Sequence, residues 1–291
     1  MKRALVFYNP NAGAKNKSKT KTQIKIALKE IDLDPDFVSV QDYFYNRVNP
    51  EDIGYDVVIS AGGDGTNRMA ATWIFKNNED LPLGIIPMGS ANLLAEATGI
   101  PLRFEKAISS IKKENHERID AGLLNNEYYF LVAFSLGHMA DTIAKTPIKE
   151  KRKWGFLAYC KNFFLKKIRM WTFDFQVDDK KFTMNGNNLF VFNAVSIFGF
   201  TPVKKMDFQD GVFELIVTTN RTFVGWVQAV YNYFAYNQPR MPVFSSEGKH
   251  FIIEARQARK IIAQIDGDRI DIERVEIQAL SKKLKLIIPN N

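Results

Sequence analysis

The first hundred residues alternate short apolar runs with stretches of helical spacing. Residues 4–8 form an uninterrupted apolar run that ends at Asn9-Pro10-Asn11, and residues 37–40, 57–60 and 83–87 are short, mostly apolar stretches that also read as strands. Between them, residues 22–31 place Ile24, Ile26, Ala27 and Ile31 at helical spacing, and residues 69–75 and 92–98 suit further helices. Buried strands alternating with helices predict a parallel sheet covered by helices. Sheets of this kind bind ligands beyond the carboxyl ends of their strands.

Past about residue 118 the pattern changes. Residues 128–134, 173–177, 189–193, 212–217, 260–263 and 283–288 read as short strands, with turn formers such as Asp178-Asp179 and Asn185-Gly186 between them. Strands at this spacing predict an antiparallel sandwich or barrel. Two helical stretches, 154–171 and 221–236, interrupt it. The expected fold class is therefore α/β plus all-β. An N-terminal αβα domain covers residues 1–118, with a tail from about residue 281 to 291 returning to it, and an antiparallel β-sandwich covers 119–280.

Composition adds bounds to this outline. With 46% hydrophobic and 25% charged residues the chain can bury a sizeable core. Its basic start is followed by an apolar run shorter than the roughly 7–15 residues of a secretory signal core. No stretch reaches the ~18 apolar residues of a spanning helix, so the expectation is a soluble, cytoplasmic protein. The single cysteine, Cys160, excludes an internal disulfide and a thiolate-rich zinc site. His116, His138 and His250 lie too far apart for a histidine-built metal centre.

Charge changes the picture more. The chain's net charge is +8, and residues 145–171 hold nine basic residues against one acidic residue, Glu150, so the remainder is about balanced. Trp154, Phe156, Tyr159, Phe163, Phe164 and Trp171 are interleaved with those cations. Such a segment suits an anionic membrane surface, with cations at headgroups and rings at the acyl boundary. It also suits a packed helix with a solvated basic face. Phe223, Trp226, Tyr231, Tyr233, Phe234 and Tyr236 form a second aromatic region suited to a lipid entrance. No nucleic-acid recognition motif accompanies the positive charge, and a nucleic-acid partner is not expected.

Candidate chemistry sits in three loops that follow strands of the first domain. Gly62-Gly63-Asp64-Gly65-Thr66-Asn67 joins a buried strand to a helix. Glycines let backbone N–H groups approach phosphate oxygens, and a helix start favours anions. Asp64 is a poor phosphate contact by itself, but it makes sense as a carboxylate that orders Mg²⁺ or its water shell. The second loop carries Gly89, Ser90 and Asn92 into a helix start, where a hydroxyl and an amide suit phosphate or ribose and equally suit capping. The third, around Asn9 and Asn11, is a short polar turn.

Taken in order, Asn9-Pro10-Asn11-Ala12-Gly13, the Gly-Gly-Asp-Gly-Thr-Asn loop and Gly89-Ser90-Ala91-Asn92-Leu93-Leu94-Ala95 resemble the diacylglycerol kinase catalytic domain family, which includes sphingosine kinases and bacterial lipid kinases. Ile119-Asp120-Ala121-Gly122 looks like the family's Asp-x-Gly strand, Asp210-Gly211-Val212 its Asp-Gly turn, and Asp266-Gly267-Asp268 its Asp-Gly-Glu motif, so the likeness spans nearly the whole chain. By turn chemistry alone the last two read as hairpin turns.

The resemblance implies a lipid kinase with ATP and Mg²⁺ as cofactors. Its nucleotide-binding domain would come first and its lipid-binding domain second, with the acceptor held near Asp64 and Asp268. Asn9, Asn11, Gly62, Gly63, Asp64, Gly65, Thr66, Asn67, Gly89, Ser90 and Asn92 would bind nucleotide. Asp210 would hold a structural Mg²⁺ with the carbonyls of Asp207 and Val212, Asp120 would belong to the substrate network, and Asp268 would stand as general base. The partners implied are a membrane lipid substrate and an anionic membrane surface, with peripheral association, and a homodimer is left open. Two positions depart from the family pattern: Leu93 stands where the family often has Asp, and Asp268 where it has Glu. A kinase of the NAD kinase type, which shares the Gly-Gly-Asp-Gly-Thr loop, and a non-catalytic lipid- or nucleotide-binding relative are the alternatives.

Overall fold

The structure, a computed structural model, describes residues 1–12, 20–45, 47–51, 54–78, 80–138, 169–193, 207–219, 243–256 and 261–289. It divides into two units, Met1–Ile119 with Lys282–Asn291, and Asp120–Ser281.

In the first unit β1 (Lys2–Tyr8) lies between two parallel neighbours, β2 (Leu33–Ser39) and β3 (Val57–Gly62), and β4 (Leu83–Pro87) pairs with the far side of β3. Tyr8 stands opposite Ala61, and Gly62 opposite Pro87, so the carboxyl ends of three strands are level. Ala4 to Phe7 are fully buried, as are Val58, Ile59 and Ala61, the unbroken apolar run that a sheet covered on both faces requires. The strand expected over residues 37–40 starts earlier than its apolar run predicts, at Leu33, and ends at Ser39, with Val40 opening a helix. It takes in Pro35, which an edge strand tolerates because one row of its N–H groups has no ladder partner.

Helix α1 (Lys21–Lys29) opens with a reciprocal cap. The Thr20 hydroxyl accepts the Gln23 N–H at 3.2 Å, and Gln23 Oε1 accepts the Thr20 N–H at 3.0 Å. Its buried pair is Ile24 and Leu28, one turn apart, whereas Ile26 is 54% exposed. Residues two apart cannot share a helix face, so the predicted stripe through Ile24 and Ile26 is replaced by the i, i+4 pair. Helices α2 (Val40–Phe44), α3 (Asp64–Asn77), α4 (Leu93–Ala97) and α5 (Phe104–Lys113) complete the unit, and α2 and α5 had no counterpart in the expected pattern.

Strand β5 (His116–Leu124) leads into the second unit, where β6 (Tyr128–Phe130) and β7 (Ala133–Gly137) replace the single strand expected over 128–134. The break falls where the Asp266 carboxylate accepts the N–H groups of Leu131, Val132 and Ala133, at 2.8, 2.9 and 3.0 Å. One sheet of this unit runs β12 (Val243–Gly248), β11 (Phe213–Thr218), β10 (Asn188–Phe192), β7, β14 (Ile261–Ile265), β15 (Asp268–Ile272), antiparallel throughout. The other joins β9 (Lys180–Gly186), β8 (Trp171–Val177), β13 (His250–Ala255) and the first part of β16 (Val275–Ile287), again antiparallel. Phe173, Phe175, Phe251 and Ile253 of one sheet and Phe134, Leu189, Phe213 and Leu215 of the other belong to one buried cluster, which makes the unit a β-sandwich.

Asp178-Asp179 turns β8 into β9, with Asp178 at φ 50°, but Asn185-Gly186 belongs to β9 itself. There the absent side chain makes room for Val217, whose Cγ1 would lie 2.6 Å from an added Cβ. Strand β16 continues past Lys282, at φ 51°, into the first unit, where Leu286 pairs with Leu83 in parallel.

Behind the sheet of the first unit, Trp73 of α3 is fully buried against Phe7 and Tyr55, and its Nε1–H donates to the Pro50 carbonyl at 2.7 Å. Trp73→Phe removes that donor and leaves a small void, with an expected loss of about 1–3 kcal/mol. The measurement is the thermal midpoint, and an unchanged midpoint would show that the bond to Pro50 contributes nothing.

Candidate functional site

The level ends of β1, β3 and β4 bring the three sequence-predicted loops to one edge of the first unit. Between β3 and α3 the chain is pinned from inside: the Ser60 hydroxyl donates to Asn67 Oδ1 at 2.6 Å, with both residues buried. Gly62 has no space for a side chain, because an added Cβ would lie 2.2 Å from Thr66 Oγ1. Gly63 caps α3 without a side-chain hydrogen bond, so its N-terminus is open to an anion. The Thr66 hydroxyl is buried and has no hydrogen-bond partner.

The second loop packs directly on the first. A Cβ at Gly89 would lie 2.5 Å from Gly63 Cα and 2.7 Å from Asn92 Oδ1, and Met88 N–H donates to the Gly62 carbonyl at 2.7 Å. Asn92, in the left-handed region at φ 51°, folds its side chain back on Gly89. Its Oδ1 accepts the Gly89 N–H at 2.8 Å and its Nδ2 donates to the Gly89 carbonyl at 3.0 Å. Asn92 thus shapes the loop, whereas Ser90 stands exposed at its tip. In the third loop Asn9 Oδ1 accepts the Asn11 N–H at 3.0 Å, and the Asn9 N–H donates to the Ala61 carbonyl at 3.1 Å. Gly13, Ala14 and Lys15 lie outside the described residues.

Asp64 links two of these loops. Half-buried in the first turn of α3, its Oδ1 accepts the Leu94 N–H at 3.1 Å and so serves the start of α4. Burial raises its pKa, while the N–H groups of Leu94, Leu93, Asp64 itself and Asn92 pull the other way. Leu93 stands where the family often has a second carboxylate, and the N–H that Asp64 accepts here is that of the next residue, Leu94.

The remaining predicted residues lie in the second unit. Gly211, at φ 69°, donates its N–H to Asp120 Oδ2 at 2.7 Å, and Asp120 N–H donates to the Phe208 carbonyl at 2.7 Å. Asp120, fully buried, therefore holds the turn that contains Asp207, Asp210 and Val212. Asp207 Oδ1 accepts the Gln209 N–H at 2.9 Å and Asp210 Oδ1 the Val212 N–H at 2.8 Å. Two exposed carboxylates among backbone carbonyls form an all-oxygen donor set, the chemistry a hard cation prefers. Among the described residues no cluster of three Asp, Glu, His or Cys side chains is suited to a metal ion.

Asp268 begins β15, just past a two-residue turn in which Asp266 and Gly267 both have positive φ, 47° and 91°. Sequence reasoning took Asp266 as part of a motif and missed its clamp on residues 131–133. The cue available was an acidic residue before glycine, which marks a turn but not a partner far along the chain.

The basic residues 145–167 and the aromatic residues 223–236 lie outside the described residues. Of the basic segment, Arg169 is exposed and Trp171 opens β8, stacked on Phe173. Among the described residues no helix is long and apolar enough to cross a membrane.

A model of the diacylglycerol kinase catalytic domain matches residues 3–124. A diacylglycerol kinase of Staphylococcus aureus strain MRSA252 is 30% identical over 224 residues, which cover 74% of this chain and 70% of that protein. An uncharacterized protein of Synechocystis is 28% identical over 247 residues, and the matched part of this chain spans 55% of its length. The fold matches the crystal structure of a diacylglycerol kinase from Bacillus anthracis with a TM-score of 0.70 over 99% of this chain and 96% of that one, at 18% identity. The phosphate-type loops at the level strand ends, the sandwich that follows them and a relative matched over most of both sequences agree: the chain belongs to the diacylglycerol kinase catalytic domain family.

Proposed function

We propose that this member of a kinase family is an ATP-dependent lipid kinase, which transfers the γ-phosphoryl group to a hydroxyl of a membrane lipid such as diacylglycerol. The observation that carries the reading is the closure of Gly63 on Gly89 beside a helix start with no side-chain cap. Amides at a helix start are what phosphate oxygens need.

In this reading the start of α3 and Ser90 hold the phosphates, with Asn9 and Asn11 beside them, and Asp64 keeps the second loop in place through Leu94. Bound Mg²⁺ supplies positive charge against the phosphate oxygens, and Asp64 is the carboxylate that would order it. Asp210, with the carbonyls of Asp207 and Val212, would hold a structural ion. The resemblance implies Asp268 as the general base for the acceptor hydroxyl. Positioning and charge carry most of such a transfer, so the shorter side chain of Asp268 is compatible with it.

The direct test incubates purified protein with labelled ATP, Mg²⁺ and a total lipid extract. Label in a lipid product supports the reading, and transfer to NAD or to no acceptor overturns it. Asp64→Asn keeps an oxygen for Leu94 but loses the charge, and is expected to lower activity by about 100-fold or more. Activity within a few-fold of the parent would remove Asp64 from the chemistry. Asp64→Ala also removes the cap on α4, at a further stability cost of about 1 kcal/mol.

The raised pKa of Asp64 gives a sign for the pH dependence. The stability that this carboxyl contributes is fully present below its unfolded pKa and is lost as pH rises through the folded value. The thermal midpoint of Asp64→Asn should therefore gain on that of the parent with rising pH through the acid range. A constant difference would mean that the carboxyl is not desolvated.

If Asp210 holds Mg²⁺, the parent's thermal midpoint rises with millimolar Mg²⁺ over chelator, by mass action on the folded state, and that of Asp210→Ala does not. A parent midpoint indifferent to Mg²⁺ would leave the segment as a simple turn.

Docking at the bilayer is assigned to residues 145–171, at about 1 kcal/mol per Lys or Arg near an anionic surface. Reversing Lys151, Arg152 and Lys153 to Glu should weaken binding to anionic vesicles and lower activity on vesicle-borne lipid, while activity on detergent-dispersed lipid survives. Undiminished vesicle binding by this variant would exclude the role.

A further inference from the structure

Nine hydrogen bonds run through the interior of the second unit. The Asp207–Val212 turn is held by Asp120, which takes the Gly211 N–H on its carboxylate and gives its own N–H to Phe208. At the other end, the carboxylate of Asp266 takes the N–H groups of Leu131, Val132 and Ala133, and the Asp266 N–H returns to the Ala133 carbonyl at 3.0 Å. Between these clamps stands Asn193, the residue after β10, which no motif singled out. Its Nδ2 donates both to the Asp120 carbonyl at 2.8 Å and to the Leu131 carbonyl at 2.7 Å, and its N–H donates to the Val132 carbonyl at 2.9 Å.

Asn193 is 2% exposed, and its Oδ1 is buried without a hydrogen-bond partner. A buried acceptor left unmet is a cost to the fold, so the amide is held for what its NH₂ does. An NH₂ with two protons is the smallest group that can bridge two carbonyls at once, and neither a hydroxyl nor a carboxylate can replace it. The two carbonyls it joins are 73 and 62 residues distant in sequence.

We propose that Asn193 is a positioning residue that makes the Asp207–Val212 turn and the Asp266–Asp268 hairpin one mechanical unit, so that the order of each depends on the other. The path is Gly211, Asp120, Asn193, Leu131 with Val132, Asp266, and then Asp268 two residues on. On the reading of Asp210 given above, the same path sets the cation affinity of the turn.

The test uses Asn193→Leu, which keeps the branching and the number of heavy atoms and removes the bridge. In Mg²⁺-free full-length protein, amide hydrogen exchange at Gly211 and at Leu131, Val132 and Ala133 should speed up together by about tenfold or more, while amides of β8 such as Phe175 stay near the parent's rates. Faster exchange at 131–133 with Gly211 unchanged would overturn the coupling. So would a uniform rise that includes β8, since that is loss of global stability alone.

If Asn193→Leu does not fold, Asp266→Asn carries the test from the other end. It weakens the three-amide clamp and should speed exchange at Gly211, and an unchanged Gly211 sinks the proposal.

The second arm is the Mg²⁺ concentration giving half of the thermal shift, which Asn193→Leu should raise by about fivefold or more. A variant with the parent's Mg²⁺ midpoint counts against control of the turn by Asn193. A parent with no Mg²⁺ response would refute the metal reading of Asp210, and the exchange arm would still decide the coupling.

Discussion

Two loops can meet backbone to backbone only where neither carries a side chain at the point of contact. Gly63 and Gly89 are such a pair, and a methyl group on Gly89 would drive into Gly63 Cα. The level register of β3 and β4 delivers the loops to the same height, the Met88 N–H bonds to Gly62, and Asn92 bends over Gly89 to close the second loop. The start of α3 then stands uncapped beside this contact. The candidate phosphate site is thus a consequence of packing that excludes Cβ atoms, and the glycines act through the space they leave.

Asp64 shows how one carboxylate can serve architecture and chemistry together. Held by the N–H of Leu94, it fixes the entry to α4, and burial makes its negative charge costly. A cation nearby would relieve that cost, which is the physical link between the clasp and the proposed Mg²⁺ chemistry. The clasp between the two loops uses the backbone of Leu94 and no second carboxylate.

In the second unit the equivalent role falls to buried polar side chains that bond to backbone. Asp120, Asn193 and Asp266 sit where the ladders of the sandwich end or break, and each satisfies main-chain groups that would otherwise be stranded. These contacts explain why one apolar run, residues 128–134, becomes two strands. The N–H groups of Leu131 to Ala133 go to a carboxylate and so do not extend the hydrogen-bonded ladder.

By itself, the sequence determined the alternation of strands and helices, the change to short antiparallel strands near residue 118, and the three glycine- and asparagine-bearing loops. Those signals are local: apolar runs, helical spacing and turn residues act within a few positions of one another. Only the tertiary structure decided that Ile26 faces outward while Leu28 faces in, and that the edge strand tolerates Pro35. It alone decided where the site's polar groups are directed. Asp64 reaches Leu94 across 30 residues, Asp120 reaches Gly211 across 91, and Asp266 reaches Leu131 across 135. A carboxylate's partner at such separations is set by which strands lie side by side, and no periodicity along the chain records that.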